Sequence, residues 1–561
     1  GQVTALDGVS FTAGSGEITG LIGPDGAGKT TLMRVATGLL QPQDGVVEVL
    51  DIDAVADPLS VQAQVGYMPQ RFGLYEDLSV QENLDLYADL QGVPLSERDA
   101  RYDELYHMTG LSPYTRRLAG RLSGGMKQKL GLACTLVSWP RLLLLDEPTV
   151  GVDPVSRREL WAIVYRLVEQ QGMSVLLSTA YLDEAERCHK VVMLHEGRVL
   201  GMGPPASFGR PLAGRTFTVA SETIARRDLQ RQLAAREDVL DAVIVGEQVR
   251  VVLQARANAK TFSRELPNER VESVPPRFED GFMDALGGRL DVGHGRQEML
   301  LESEHRSRRE AVIRVSDLER KFGDFYAVRE VSFEVAPGEV FGLLGANGAG
   351  KTTTFRMLCG LLPASSGTVN VAGYDLRHAA ASARARIGYM SQKFSLYGNL
   401  TVLQNLRFFA STYGLTGQHQ RTRIDWALQQ LELQAVRDAD SMDLSLGYKQ
   451  RLALACALMH DPDILFLDEP TSGVDPIARR EFWHWINTLS NRGVTVLVTT
   501  HFMEEAEYCD RLAIMANGRI LAIDAPRAVK ARARNRENPD PSMEDAFIAL
   551  IEQEAAQQAA A

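Results

Sequence analysis

The sequence predicts an α/β protein of two tandem domains, each a mainly parallel sheet with a helical subdomain, plus a small α+β appendage after the first. Three observations predict it. The 561 residues exceed what one hydrophobic core supports. The chain repeats itself at a shift of 322 residues. Each copy carries, in order, an apolar strand, a glycine-rich loop and a helix start.

Composition bounds the class. Hydrophobic content of 45% and charged content of 24% are those of a globular protein, not a disordered one. Apolar runs such as 142–145 and 464–467 fall far short of the roughly 20 residues a membrane helix needs. No charged-then-apolar leader opens the chain, so neither a membrane span nor secretion is expected. A net charge of −12 disfavours nucleic acid as the main partner, because backbone phosphates call for a basic face. The five cysteines form no CxxC pair and no zinc-spaced cluster, which suits small buried hydrophobes in a reducing cytoplasm.

The repeat is explicit. GYMPQRFGLYEDLSVQENL at 66–84 returns as GYMSQKFSLYGNLTVLQNL at 388–406. The same shift takes Lys29 to Lys351, Asp146 to Asp468 and Cys134 to Cys456, and one deletion lowers it to 321 where Cys188 meets Cys509. FEDGFMDAL at 278–286 matches MEDAFIALI at 543–551 at a shift of only 265, so the first copy carries an insertion of about 57 residues between roughly 210 and 270. It reads as a strand (215–219), a helix (223–235) and two apolar-rich strands (239–245 and 248–253). The expected domains are 1–205, an appendage with its closing helix over 206–288, a charge-mixed linker over 289–310, a second domain over 311–530, and a C-terminal helix with a frayed tail over 531–561. The first domain is expected to lack the strand that 311–322 supplies to the second.

The loops define a phosphate site, twice. Gly23, Pro24, Asp25, Gly26, Ala27, Gly28, Lys29, Thr30 and Thr31 form the first, and Gly345, Ala346, Asn347, Gly348, Ala349, Gly350, Lys351, Thr352 and Thr353 the second. Both fit G-x-x-x-x-G-K-[ST]: backbone N–H groups wrap phosphate oxygens where no Cβ intrudes, and the following helix aims its N-terminus at the same anion. Lys29 and Lys351 are placed for the β- and γ-phosphates, Thr30 and Thr352 for Mg²⁺. About 115 residues on, LLLLDEPTVGVDP and ILFLDEPTSGVDP each end an apolar strand in two carboxylates. A strand apolar throughout is buried on both faces of a parallel sheet, with ligands at its C-terminal end. Asp146 and Asp468 are suited to hold Mg²⁺ through its water shell, and Glu147 and Glu469 to orient the attacking water.

Both halves, nearly the whole chain, resemble the ABC ATPase family. Its signature peptide is matched by LSGGMKQKLGLA (122–133), with Ser123, Gly124 and Gly125, and its D-loop by Gly151-Val152-Asp153 and Gly473-Val474-Asp475. Gln70 and Gln392 match its glutamine loop, a position that also serves Mg²⁺, and His501 in TTHFMEEAE matches its switch histidine. Phe322 in KFGDF matches the aromatic that stacks on adenine; the first half's counterpart would fall in the strand it lacks. FGLYEDLSVQENL, THFMEEAE and MEDAFIAL look more narrowly like the ATPases of bacterial multidrug-type exporters, in particular a fused two-cassette subunit. That resemblance implies ATP and Mg²⁺ as ligands, two separate membrane permeases as partners, an adaptor on the periplasmic side, and a place on the cytoplasmic face of the bacterial inner membrane. It also implies that the cassettes meet head to tail, each ATP lying between one P-loop and the other signature peptide. Binding would close the clamp and hydrolysis open it.

Two departures converge under that geometry. Ala180 in STAYLDEAE stands where the switch histidine belongs, and Leu446 in LSLGYKQ replaces the first signature glycine. Site one would comprise Lys29, Gln70, Asp146, Glu147 and Ala180 facing Ser445, Leu446 and Gly447; site two would comprise Lys351, Gln392, Asp468, Glu469 and His501 facing Ser123, Gly124 and Gly125. Both departures then fall in site one, which is expected to be impaired; unconnected drift at two positions is the plainer alternative. A tandem-cassette translation factor is the competing function, disfavoured by the lack of a long basic helical linker. A DNA-repair ATPase would need coiled-coil or zinc-bearing insertions that the sequence lacks.

Overall fold

The computed structural model describes residues 4–70, 73–287, 311–536 and 538–560, so the linker expected at 289–310 lies outside the described residues. The chain forms two compact units: Gly1–Thr216 with Val274–Gly288, and Phe217–Ser273 with the second repeat.

Unit one is built on a six-stranded sheet ordered Val65–Met68, Leu142–Asp146, Ser174–Thr179, Ile18–Ile22, Lys190–His195, Arg198–Gly203. All neighbours are parallel except the last pair. Ile18–Ile22 is buried throughout, as a strand covered on both faces must be. Asp153 caps the helix Pro154–Gln171 by accepting from Ser156 N, and Gly172 at φ 65° ends it. The helical subdomain holds Val80–Leu90, Leu95–Thr109 and Gly124–Leu136. Ser79 and Glu82 close the first of these helices with a capping box.

In unit two the same sheet recurs as Ile387–Met390, Ile464–Asp468, Thr495–Thr500, Val340–Gly345, Arg511–Ala516, Arg519–Asp524. A second, four-stranded antiparallel sheet, which includes Ile313–Phe322, covers it. Among the described residues unit one has only the two-stranded pair Glu48–Val49 and Ile52–Asp53 at that place. The closing helices are Phe278–Ala285 in unit one and Met543–Ala560 in unit two, with Phe282 and Phe547 buried at matched positions.

The insertion folds as a sheet ordered Val239–Val245, Gln248–Leu253, Thr216–Ala220, Arg270–Ser273, with helices Arg226–Ala234 and Ala259–Arg264. Phe217, Leu229, Leu233, Val251 and Phe262 make its own small core. The helix expected over 223–235 starts later, because Ser221 Oγ accepts from the backbone N–H groups of Thr223 and Ile224 and holds a turn there. The helix Ala259–Arg264 and strand Arg270–Ser273 were not expected. They are too short to show a period.

Candidate functional site

Each phosphate loop leaves its strand at a glycine that no other residue replaces. A Cβ at Gly23 would sit 2.2 Å from Leu194 O, and one at Gly345 2.6 Å from Met515 O. Gly28 and Gly350 enter the helices at φ 100° and 102°, where an L side chain is strained. Lys29 Nζ donates to Gly23 O at 2.7 Å and Pro24 O at 3.1 Å, and Lys351 Nζ to Gly345 O at 2.6 Å and Ala346 O at 3.1 Å. Both buried ammonium groups also face a carboxylate, Glu147 at 3.5 Å and Glu469 at 3.8 Å.

Strand order brings the carboxylates to the loops. Ser174–Thr179 lies between the phosphate-loop strand and Leu142–Asp146, with Ser178 opposite Asp146; Thr499 lies likewise opposite Asp468. Ser178 Oγ donates to Asp146 Oδ1 at 2.6 Å and Thr499 Oγ1 to Asp468 Oδ1 at 2.7 Å. Thr30 and Thr352 donate to the same two oxygens at 3.2 and 3.3 Å. Gln70 Nε2 donates to Glu147 Oε2 at 2.6 Å, and Gln392 Nε2 to Glu469 Oε2 at 2.7 Å. Both glutamates hold left-handed backbone, φ 50° and 47°, a conformation costing on the order of 1–3 kcal/mol that concentrates at functional sites. The hydroxyls of Ser178 and Thr499 escaped the sequence reading. Their signal was a Ser or Thr two residues before the switch position in both repeats.

The sites differ beyond this point. His501 Nδ1 lies 3.3 Å from Glu469 Oε2, an ion-pair distance with both side chains buried, and neither ring nitrogen of His501 has a hydrogen-bond partner among the described residues. Burial pushes the Glu469 carboxyl up, but His501, Lys351 and Gln392 outweigh it and hold the pKa at about 2. Burial raises that of Asp468. In the first repeat Ala180 is buried and offers Glu147 no such partner.

Phe322, Phe325, Asn347, Gly348, Gly350, Lys351, Thr352, Thr353, Gln392 and Glu469 line one cleft of about 390 Å³, a size suited to a mononucleotide. Phe325, paired with Phe322 across the strand ladder, was not foreseen. Thr352, Asp468 and the oxygen of Gln392, whose nitrogen serves Glu469, form a hard-oxygen donor set that could hold Mg²⁺ beside phosphate; Thr30, Asp146 and Gln70 match it.

The signature residues head helices of the subdomains. Ser123 Oγ accepts from Met126 N, whereas Ser445 makes no such cap. A Cβ at Gly125 would lie 2.2 Å from Ser156 Oγ, so the helix pair closes only over glycine. Ser445, Leu446 and Gly447 take no part in lining the second-repeat cleft. Among the described residues no helix is long and apolar enough to cross a membrane.

Known proteins agree with this chemistry. The ABC transporter family model matches residues 6–150 and 328–472. The chain is 51% identical, over 96% of its length and 93% of the relative's, to the probable multidrug ABC transporter ATP-binding protein YbhF of Escherichia coli (strain K12). It is 42% identical over 43% of its length, and 82% of the relative's, to the Nod factor export ATP-binding protein I of Paraburkholderia xenovorans (strain LB400). Two phosphate loops, each with its carboxylate pair at the end of the strand one removed in the same sheet, and a likeness spanning both repeats lead to one statement: this chain belongs to the ABC transporter family, as an ATP-binding subunit carrying two ATPase cassettes.

Proposed function

We propose that the chain is the ATP-hydrolysing subunit of an ABC exporter, and that Lys351, Glu469 and His501 mark the site doing most of the hydrolysis. The single observation carrying the unequal pair is His501 Nδ1 at 3.3 Å from Glu469, set against the buried Ala180 of the first cassette. In this reading the cassettes meet head to tail. Ser123, Gly124 and Gly125 complete the site on Lys351, while Ser445, Leu446 and Gly447 complete the one on Lys29. Export and a multidrug cargo are supported by the names of the relatives above.

The chemistry follows from the groups in place. Lys351 trades its loop carbonyls and Glu469 for the β- and γ-phosphates. His501 reaches the γ-phosphate through Nε2, the ring nitrogen other than the one beside Glu469. A carboxylate with a pKa near 2 orients water well but accepts a proton poorly. Once phosphate draws off Lys351 and His501, Glu469 loses the charges that depress it and its basicity rises. Thr352, Asp468 and Gln392 would hold a magnesium ion, which would supply positive charge beside the phosphates.

Two permease subunits are the partners, docking beside the glutamine loops at the cytoplasmic face of the inner membrane. Tyr75 and Tyr397 are 57% and 46% exposed, each in a loop held open by a buried asparagine: Asn83 donates to Tyr75 O, and Asn405 to Tyr397 O. Rapid-mixing single-turnover assays test the unequal sites: one phosphate released per chain in the first turnover is expected, and two would overturn the reading.

A further inference from the structure

The 217–273 appendage belongs by sequence to the first cassette, yet its buried charges answer to the second. Asp241, 4% exposed, sits in the strand Val239–Val245 next to an irregularity in the ladder, and pairs with Arg480 of the helix Pro476–Asn491, 9% exposed. Arg227, also buried, donates to Ser490 Oγ at 2.9 Å and Tyr508 O at 3.2 Å, and its Nη2 lies 2.8 Å from Asp510 Oδ2. Arg226 donates to the Cys509 carbonyl. A buried charge is costly unless paired, and removing one partner strands the other. At the matching positions the first cassette has exposed Arg158 and Ala162, where the second has buried Arg480 and half-buried His484.

Both gripped elements run back to the ATP site. Helix Pro476–Asn491 is capped by Asp475 of the D-loop. Arg479, adjacent to Arg480, turns the other way: its Nε lies 3.6 Å from Glu505 Oε1 and its guanidinium 4.3 Å from the Phe502 ring, itself 4.3 Å from the His501 ring. Tyr508 and Asp510 end the segment that His501 begins. We propose that the 217–273 appendage is a positioning domain for the second cassette's ATP site, its Asp241–Arg480 pair and Arg227 contacts holding the D-loop helix and the 501–510 segment in register so that His501 meets Glu469. Asp241, Arg227 and Arg480 are positioning residues acting through Arg479 and Phe502. The chain enters the appendage from the first cassette at 216–217 and returns at 273–274, so the brace is covalently tied to the other cassette.

This inference rests on the reading that Glu469 and His501 carry hydrolysis. The test uses the full chain, with turnover expressed per ATP-binding site by nucleotide titration, so that a misfolded fraction does not count. Asp241→Asn should lower kcat about tenfold with KM for ATP within twofold, and Asp241→Glu should keep most of the activity. Arg227→Gln, breaking a separate contact, should act in the same direction and serves if Asp241→Asn fails to fold. Turnover per site within twofold of wild type in both Asp241→Asn and Arg227→Gln, with Glu469→Gln inactive, would overturn the inference alone. Full turnover in Glu469→Gln would overturn the site assignment and the inference with it.

Discussion

The two cassettes share a phosphate loop to within 0.1 Å in the contacts of the lysine with its own loop, yet differ at one of the positions beside the glutamate of the carboxylate pair. In the second, His501 stands at Glu469; in the first, Ala180 occupies that place, and the Glu147 carboxylate meets Gln70 and Lys29 among the described residues. Groups that bind phosphate are retained in both halves, while a group suited to respond to it is found in one. If the proposed inequality of the sites holds, holding a nucleotide and splitting it make separable demands on this fold.

The largest effect expected is on turnover. His501→Ala and Glu469→Gln should each lower steady-state ATPase activity by about 10² or more, and Glu147→Gln by only a few-fold. Equal losses from the two glutamate changes would break the comparison. Next is a gain: Ala180→His with Leu446→Gly should raise first-turnover phosphate from one to two per chain. A hydrogen bond to a charged phosphate is worth roughly 1.5–3 kcal/mol, enough for a tenfold or larger rate change. Unchanged stoichiometry would mean that the two substitutions do not account for the difference. A third test concerns the exposed tyrosines. Tyr75→Glu with Tyr397→Glu should release the chain from membranes in a flotation assay while nucleotide binding stays intact, and loss of binding would instead assign both rings to packing.

The smallest expected effect separates the cassettes by pH. His460, stacked on Tyr413 at 3.7 Å, has its pKa lowered to about 4 by burial; the first cassette has Ser138 there. The unfolded chain takes up this proton near pH 6.5 and the folded one only near 4. The contribution of neutral His460 is thus complete above pH 6.5 and is lost as pH falls to about 4, a change on the order of 1–3 kcal/mol. Thermal melts of His460→Ser should be flatter across that window than those of the parent chain.

Much of the site was legible because its chemistry is local in sequence. A phosphate loop is one strand end, one turn and one helix start, and the carboxylate pair closes a single apolar strand, so both announce themselves in under fifteen residues. Ser178 and Thr499 left a signal in the repeat, but its meaning was not legible, since their bond to the aspartate depends on which strands are neighbours. Phe325 was passed over because its place in the cleft depends on a strand pairing that puts it beside Phe322. The appendage's elements were mostly readable, but Asp241 in VLDAVIV looks like a flaw in an apolar strand until Arg480 is seen across from it.

By itself, then, the sequence determined the family, the two phosphate loops, the carboxylate pairs and the places where the repeats disagree, because each is written in contiguous residues whose spacing the backbone enforces. Tertiary structure decided the rest: that His501 comes within reach of Glu469 while Gln392 holds that carboxylate from the turn after Ile387–Met390, and that the first cassette's insertion folds against the second. These depend on strand order and on buried charges finding partners 239 residues away along the chain, a cost of desolvation that no local pattern records.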